Sequence, residues 1–161
     1  MATETDNRSE SQARAQYESI VEMVQRMQHA QDHDGDDEDC GLSSDEIFAG
    51  LGYGKGATEA DENDRETYHD EDAARKAIQE DALSVQVRSD WHNPAEDAEA
   101  AEFELLLCTG GPAVRIIGTL DQWQQPDDAR IEHQDWGTPW TEMVGSHPSL
   151  LPFCREFWFS V

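Results

Sequence analysis

The chain has 161 residues, 36 Asp+Glu against 11 Lys+Arg, and a formal net charge of −25. Phosphate-binding surfaces need clustered Lys and Arg, and no such cluster is present, so the composition argues against direct binding of nucleic acid or anionic lipid. The apolar runs are too short to span a bilayer. A start without a basic segment followed by an apolar one argues against a secretory signal, so a cytoplasmic location in a host cell is expected.

In chain order, the first expected element is a helix over about Glu10–Gln28. Ala13, Tyr17, Ile20, Val24 and Met27 recur at spacings of four and three and form one apolar stripe, with Asn7 or Ser9 as a cap. That stripe needs a surface: the chain's own sheet, a partner's groove, or the same helix of a second copy in a homodimer. Next, Asp32–Gly41 (DHDGDDEDCG) is almost pure carboxylate and reads as a solvated segment. A short helix at about Asp45–Ala49 and a Gly-rich turn from Leu51 to Gly56 follow. A second helix spans about Asp70–Asp81, with Ala74, Ala77, Ile78 and Ala82 on its inner side.

From Leu83 the period becomes two. Leu83, Val85 and Val87 alternate with polar residues as a half-buried strand does. Phe103–Cys108 and Ala113–Gly118 are two apolar strands joined by Thr109-Gly110-Gly111-Pro112, a hairpin signal. A fourth strand covers about Ala129–Trp136, and a short helix is expected over Ser149–Phe157, with Trp158-Phe159 as a last strand or a tail.

The composition divides near the same point. Residues before Leu83 hold a net charge of −16 and four aromatics; those from Leu83 onward hold −9 and nine, including all five Trp. The expected organisation is an acidic N-terminal region over 1–70, with one amphipathic helix and flexible loops, and a compact domain over 71–161. The fold class is α+β: an antiparallel meander of about four strands in the C-terminal half, flanked by helices.

Motifs for chemistry are weak throughout. Cys40, Cys108 and Cys154 have no CxxC spacing and form an odd set, so free thiols are expected. His29 and His33 stand four apart near Asp32, Asp34 and Asp36, but no catalytic metal motif is completed. Neither EF-hand frame beginning at Asp32 or Asp34 has Gly at its sixth position and Glu at its twelfth. No metal or cofactor is therefore expected. His92 with Asp90, or His133 with Asp135, could form an acid–base pair, yet no nucleophile accompanies either. The reading is a protein without enzymatic activity. Trp136 and Trp140 flank a Gly/Pro corner in DWGTPW and are candidate anchors for a partner.

Three strings carry a family resemblance: IQEDALSVQVRSDW (Ile78–Trp91), FELLLCTGGPAVRIIGTLD (Phe103–Asp121) and EHQDWGTPWTE (Glu132–Glu142). They resemble a family of small acidic proteins carried by bacteriophages, prophages and plasmids. The resemblance covers roughly 40% of the chain. It implies a mobile-element setting and carries over no catalytic residue.

The acidity admits three readings: salt adaptation, passive solubility, and imitation of nucleic acid. B-DNA carries one charge per ~1.7 Å of axis, and carboxylates one helical turn apart lie ~5–6 Å from each other, so a folded acidic surface can address a basic groove. Together with the resemblance, this gives the expectation of an anti-CRISPR or anti-restriction inhibitor that covers a host's basic nucleic-acid-binding protein. Its contact residues would be Glu18, Glu22, Asp36, Asp37, Asp61, Glu62, Trp136 and Trp140. The alternative is an acidic accessory or salt-adapted protein, which the two Lys against nine Arg also suit.

Overall fold

The computed structural model describes residues 4–33 and 70–160. The short helix expected at Asp45–Ala49, the Leu51–Gly56 turn, and Asp36, Asp37, Asp61 and Glu62 lie outside them. The element order is α1 (Glu4–His33), α2 (Glu71–Asp81), β1 (Ser84–Ser89), β2 (Ala100–Cys108), β3 (Ala113–Leu120), β4 (Pro126–Gln134), β5 (Thr141–Glu142) and α3 (Leu150–Cys154). The strands form one antiparallel sheet in sequence order. It has five strands where about four were expected, because the chain after Trp140 returns for two residues along β4. Trp158 and Phe159 belong to a tail, not a strand.

Alternation dictates the two faces of the sheet. Phe103, Leu105 and Leu107 of β2, Val114 and Ile116 of β3, and Ile131 of β4 are buried and share one side. Helices α1 and α3 pack there, and α2 packs against α1. The opposite side, with Glu102, Glu104, Arg115, Arg130 and Glu132, has no helix of the described residues on it. Gly118 on the covered side is required by closeness: a Cβ there would lie 1.9 Å from the Asp128 carbonyl oxygen and 2.8 Å from the Phe103 ring.

The stripe on α1 is buried as its spacing requires. Ala13, Ile20, Val24, Met27 and Ala30 share one core cluster with the sheet, α2 and α3. The packing of α1 therefore crosses the expected division at residue 70, and the stripe is occupied within the chain rather than by a second copy. Each fully buried aliphatic or aromatic side chain contributes about 1.5–3 kcal/mol, which explains why a helix so far away in sequence is held. Ser9, a candidate cap, lies inside α1 because the helix starts earlier, at Glu4. Its hydroxyl shares a buried hydrogen bond with His133 Nδ1 at 2.9 Å, across 124 residues of chain.

Helix α2 starts where a capping side chain allows it. Asp70 Oδ1 accepts from the amides of Asp72 (2.9 Å) and Ala73 (3.2 Å). Ala74 and Ile78 are its buried residues. Arg75 ties it to the C-terminal segment through Glu156 at 3.1 Å and to its own first turn through Glu71 at 2.6 Å, and these carboxylates hold the guanidinium's pKa above its ordinary value.

Strand β1 departs from expectation. Val85 and Val87 stand opposite Leu105 and Phe103, on the covered side of the sheet, yet Leu83, Val85 and Val87 are 62%, 42% and 38% exposed. The alternation identified the strand correctly, but at the sheet's margin the helical layer stops short of it.

Candidate interaction surfaces

The uncovered face of the sheet is a lattice of opposite charges. Arg115, at its centre, bonds Glu104 at 2.7 Å and Glu132 at 2.8 Å, and its guanidinium lies 4.2 Å from the centre of the Trp140 ring. Arg130 reaches the second oxygen of Glu132 at 3.1 Å, and Arg88 pairs with Glu102 across β1 and β2. A shallow cavity of 290 Å³ opens among Arg88, Glu104, Ile117, Thr119 and Arg130. Glu102, Glu104 and Glu132 are each matched by a guanidinium, while Asp128 and Glu142 at the margins of this face are exposed without an ion pair among the described residues.

The outer side of α1 is different. Glu18 and Glu22 are exposed, one turn apart, and no ion pair joins either to a cation among the described residues. Nearer the start, Arg14 pairs with Glu10 at 2.5 Å and holds that carboxyl below its usual range. The stripe that buries Ile20 and Val24 fixes the rotation of the helix, and that rotation directs Glu18 and Glu22 to solvent. They are therefore rigidly presented, over a helix about 45 Å long at ~1.5 Å per residue.

The two tryptophans of DWGTPW separate. Trp140 belongs to the charge lattice through Arg115. Trp136 is 81% exposed and stands over the Gly110-Gly111 turn, its Nε1 donating to the Gly110 carbonyl at 3.4 Å. A Cβ on Gly111, whose φ is +75°, would come within 2.0 Å of that indole, so glycine is needed there for both backbone and seat. The corner between them is made by Asp135, whose Oδ1 accepts from the Trp136 amide at 2.9 Å, and by Gly137 with φ +75°. They are thus two separate features rather than one paired anchor.

Neither histidine meets its neighbouring acid. His133 is buried and its Nδ1 goes to Ser9; the Asp135 carboxylate keeps to its own turn, with Oδ2 buried and unpartnered. His92 Nδ1 lies 3.1 Å from the Asp90 backbone oxygen, while the Asp90 carboxylate accepts from the Trp91 amide at 2.7 Å. Exposed Trp91 and His92 border an open cavity of 950 Å³ with Arg88, Asp90, Glu102 and Leu120. No group of three or more His, Cys, Asp or Glu with metal-binding geometry occurs among the described residues. Cys108 and Cys154 are free, and burial pushes both thiols up, Cys154 strongly. Among the described residues no helix is long and apolar enough to cross a membrane.

No family model, curated protein or solved structure matches this chain.

Two features escaped the sequence reading. The Arg115 ladder was encoded in the alternate positions of β2, β3 and β4, where Glu102, Glu104, Arg115, Arg130 and Glu132 sit out of phase with the core residues. The signal was available, but which strands adjoin decides who pairs with whom. The Ser9–His133 bond had no local signal at all.

Proposed function

We propose that this chain is a non-enzymatic inhibitor from a mobile element that covers the nucleic-acid-binding groove of a basic host defence protein, an anti-CRISPR or anti-restriction factor. The observation that carries the reading is the contrast between two surfaces. Glu102, Glu104 and Glu132 on the sheet are matched by arginines, whereas Glu18 and Glu22 on α1 are exposed, one turn apart on a helix packed into the core, and meet no cation among the described residues. Fixed negative charge on a scaffold of net −25 accelerates encounter with a cationic groove and weakens as salt screens it. The resemblance of Ile78–Glu142 to phage, prophage and plasmid proteins supports the setting. Trp136, exposed and braced on Gly110, is suited to a desolvated anchor at the rim.

The test is capture from bacterial lysate at ~0.1 M and ~0.5 M salt, with and without competing duplex DNA. The expected result is a nucleic-acid-binding protein retained at low salt, displaced by DNA, and lost with the double variant Glu18→Lys/Glu22→Lys. Retention indifferent to salt, DNA and charge reversal would overturn mimicry. A chain that melts at ~0.1 M salt and folds cooperatively only in molar KCl would instead support the salt-adapted reading.

A further inference from the structure

Among the described residues, strand β1 is one edge of the sheet, and β2 is the strand it pairs with. Such an edge presents a row of unpaired N–H and C=O groups, which proteins commonly blunt with charge, proline or a bulge. The bulge in β1 lies at Arg88/Ser89, past the regular stretch. From Leu83 to Ser89 the strand contains no acid in a chain of net −25, and its one charge, Arg88, is engaged by Glu102. Leu83, just before it, and Val85 and Val87 on it are exposed, as are Gln86 and Arg88 on the other side.

We propose that β1 pairs antiparallel with β1 of a second copy about a two-fold axis at Val85, joining two five-stranded sheets into one of ten. The strand is self-complementary in that register. Val85 faces the partner's Val85, Leu83 faces the partner's Val87 and the reverse, and Ser84 meets the partner's Gln86 on the other side. Three apolar cross-strand pairs fall on the helical side and polar pairs on the other. A slip of one residue sets apolar against polar positions throughout, and an axis at Gln86 leaves Leu83 opposite Ser89. A cationic peptide finds no carboxylate on this strand, whereas a second β1, with the same alternation of apolar and polar residues and its Arg88 held by its own Glu102, fits it.

The seam is a two-strand contact, smaller than the ~1,600 Å² of a standard interface, so the dimer is concentration-dependent. Asp81 and Asp90 bracket the strand, and the two copies repel at long range. Added salt therefore strengthens the dimer, opposite in sign to its effect on a cationic partner of α1. The two ideas fail separately.

Sedimentation velocity of the full chain over a concentration series, at ~0.1 M and ~1 M salt, reads the association directly. The expected result is a monomer–dimer equilibrium that tightens with salt. Val85→Lys sets two like charges face to face and should weaken it at least ~tenfold with an unchanged circular dichroism spectrum, since Val85 is already exposed. In a Cys40→Ser background, Val85→Cys should give a covalent dimer on mild oxidation far faster than Gln86→Cys does. A monomer at every concentration and salt, or a dimer that Val85→Lys leaves intact, overturns the proposal.

Discussion

Ile20→Ala tests whether α1 is part of the core or a stripe waiting for a partner. Ile20 is fully buried among residues of the sheet, α2 and α3. Truncation removes three carbons, about 2.4 kcal/mol of transfer free energy at ~0.8 kcal/mol per methylene. If ~50 Å³ stays unfilled, the cavity adds about 1.2 kcal/mol at ~24 cal/mol per Å³, for a total near 3.5 kcal/mol. At ~3–4 °C per kcal/mol for a chain of this length, Tm falls by about 10–14 °C. The melt should be followed at fixed salt by far-ultraviolet circular dichroism and by Trp fluorescence. All five Trp lie beyond Leu83, so fluorescence reports on the sheet half alone. Both transitions should move together. A fluorescence transition that stays in place while the helical signal falls would refute the shared core, as would a shift under ~2 °C.

Three further outcomes are expected. Arg115→Ala leaves half-buried Glu104 and buried Glu132 without their shared cation and should cost about 2–4 kcal/mol, whereas Arg88→Ala breaks an exposed pair and should cost less than about 1; equal urea midpoints would refute the ladder as described. Burial raises the Asp81 carboxyl pKa at the end of α2, and its Oδ2 is unpartnered. A raised carboxyl favours folding while protonated, so its contribution declines as pH climbs from the ordinary Asp range through the raised value; Asp81→Asn should remove that decline and add about 0.3–1 kcal/mol at neutral pH, and no gain in urea midpoint would count against it. Cys154 is buried with its thiol pKa pushed up, so alkylation followed by peptide mass spectrometry should label it only in denaturant, and rapid labelling of the native chain would contradict its position.

Local periodicity determined the elements. Residues spaced by three and four can share only one side of a helix, so Ala13, Ile20, Val24 and Met27 were bound to be buried together. The start of α2 near Asp70 was legible to within a residue, though Asp70 serves as its cap rather than its first residue, and Gly110-Gly111 could be read as the turn between β2 and β3 because positive φ there admits few residue types. Neighbours remote in sequence were another matter. Nothing near Ser9 points to His133, nothing near Arg115 selects Glu104 and Glu132 together, and nothing in DWGTPW separates Trp136 from Trp140. Strand β1 marks the boundary most sharply. The alternation of Leu83, Val85 and Val87 specifies a strand with one apolar side, but burial of that side depends on whether another layer reaches it. Periodicity is a property of consecutive residues and is written in them; cover, pairing and exposure belong to the order of strands and the extent of the helices above them, which only the folded chain decides.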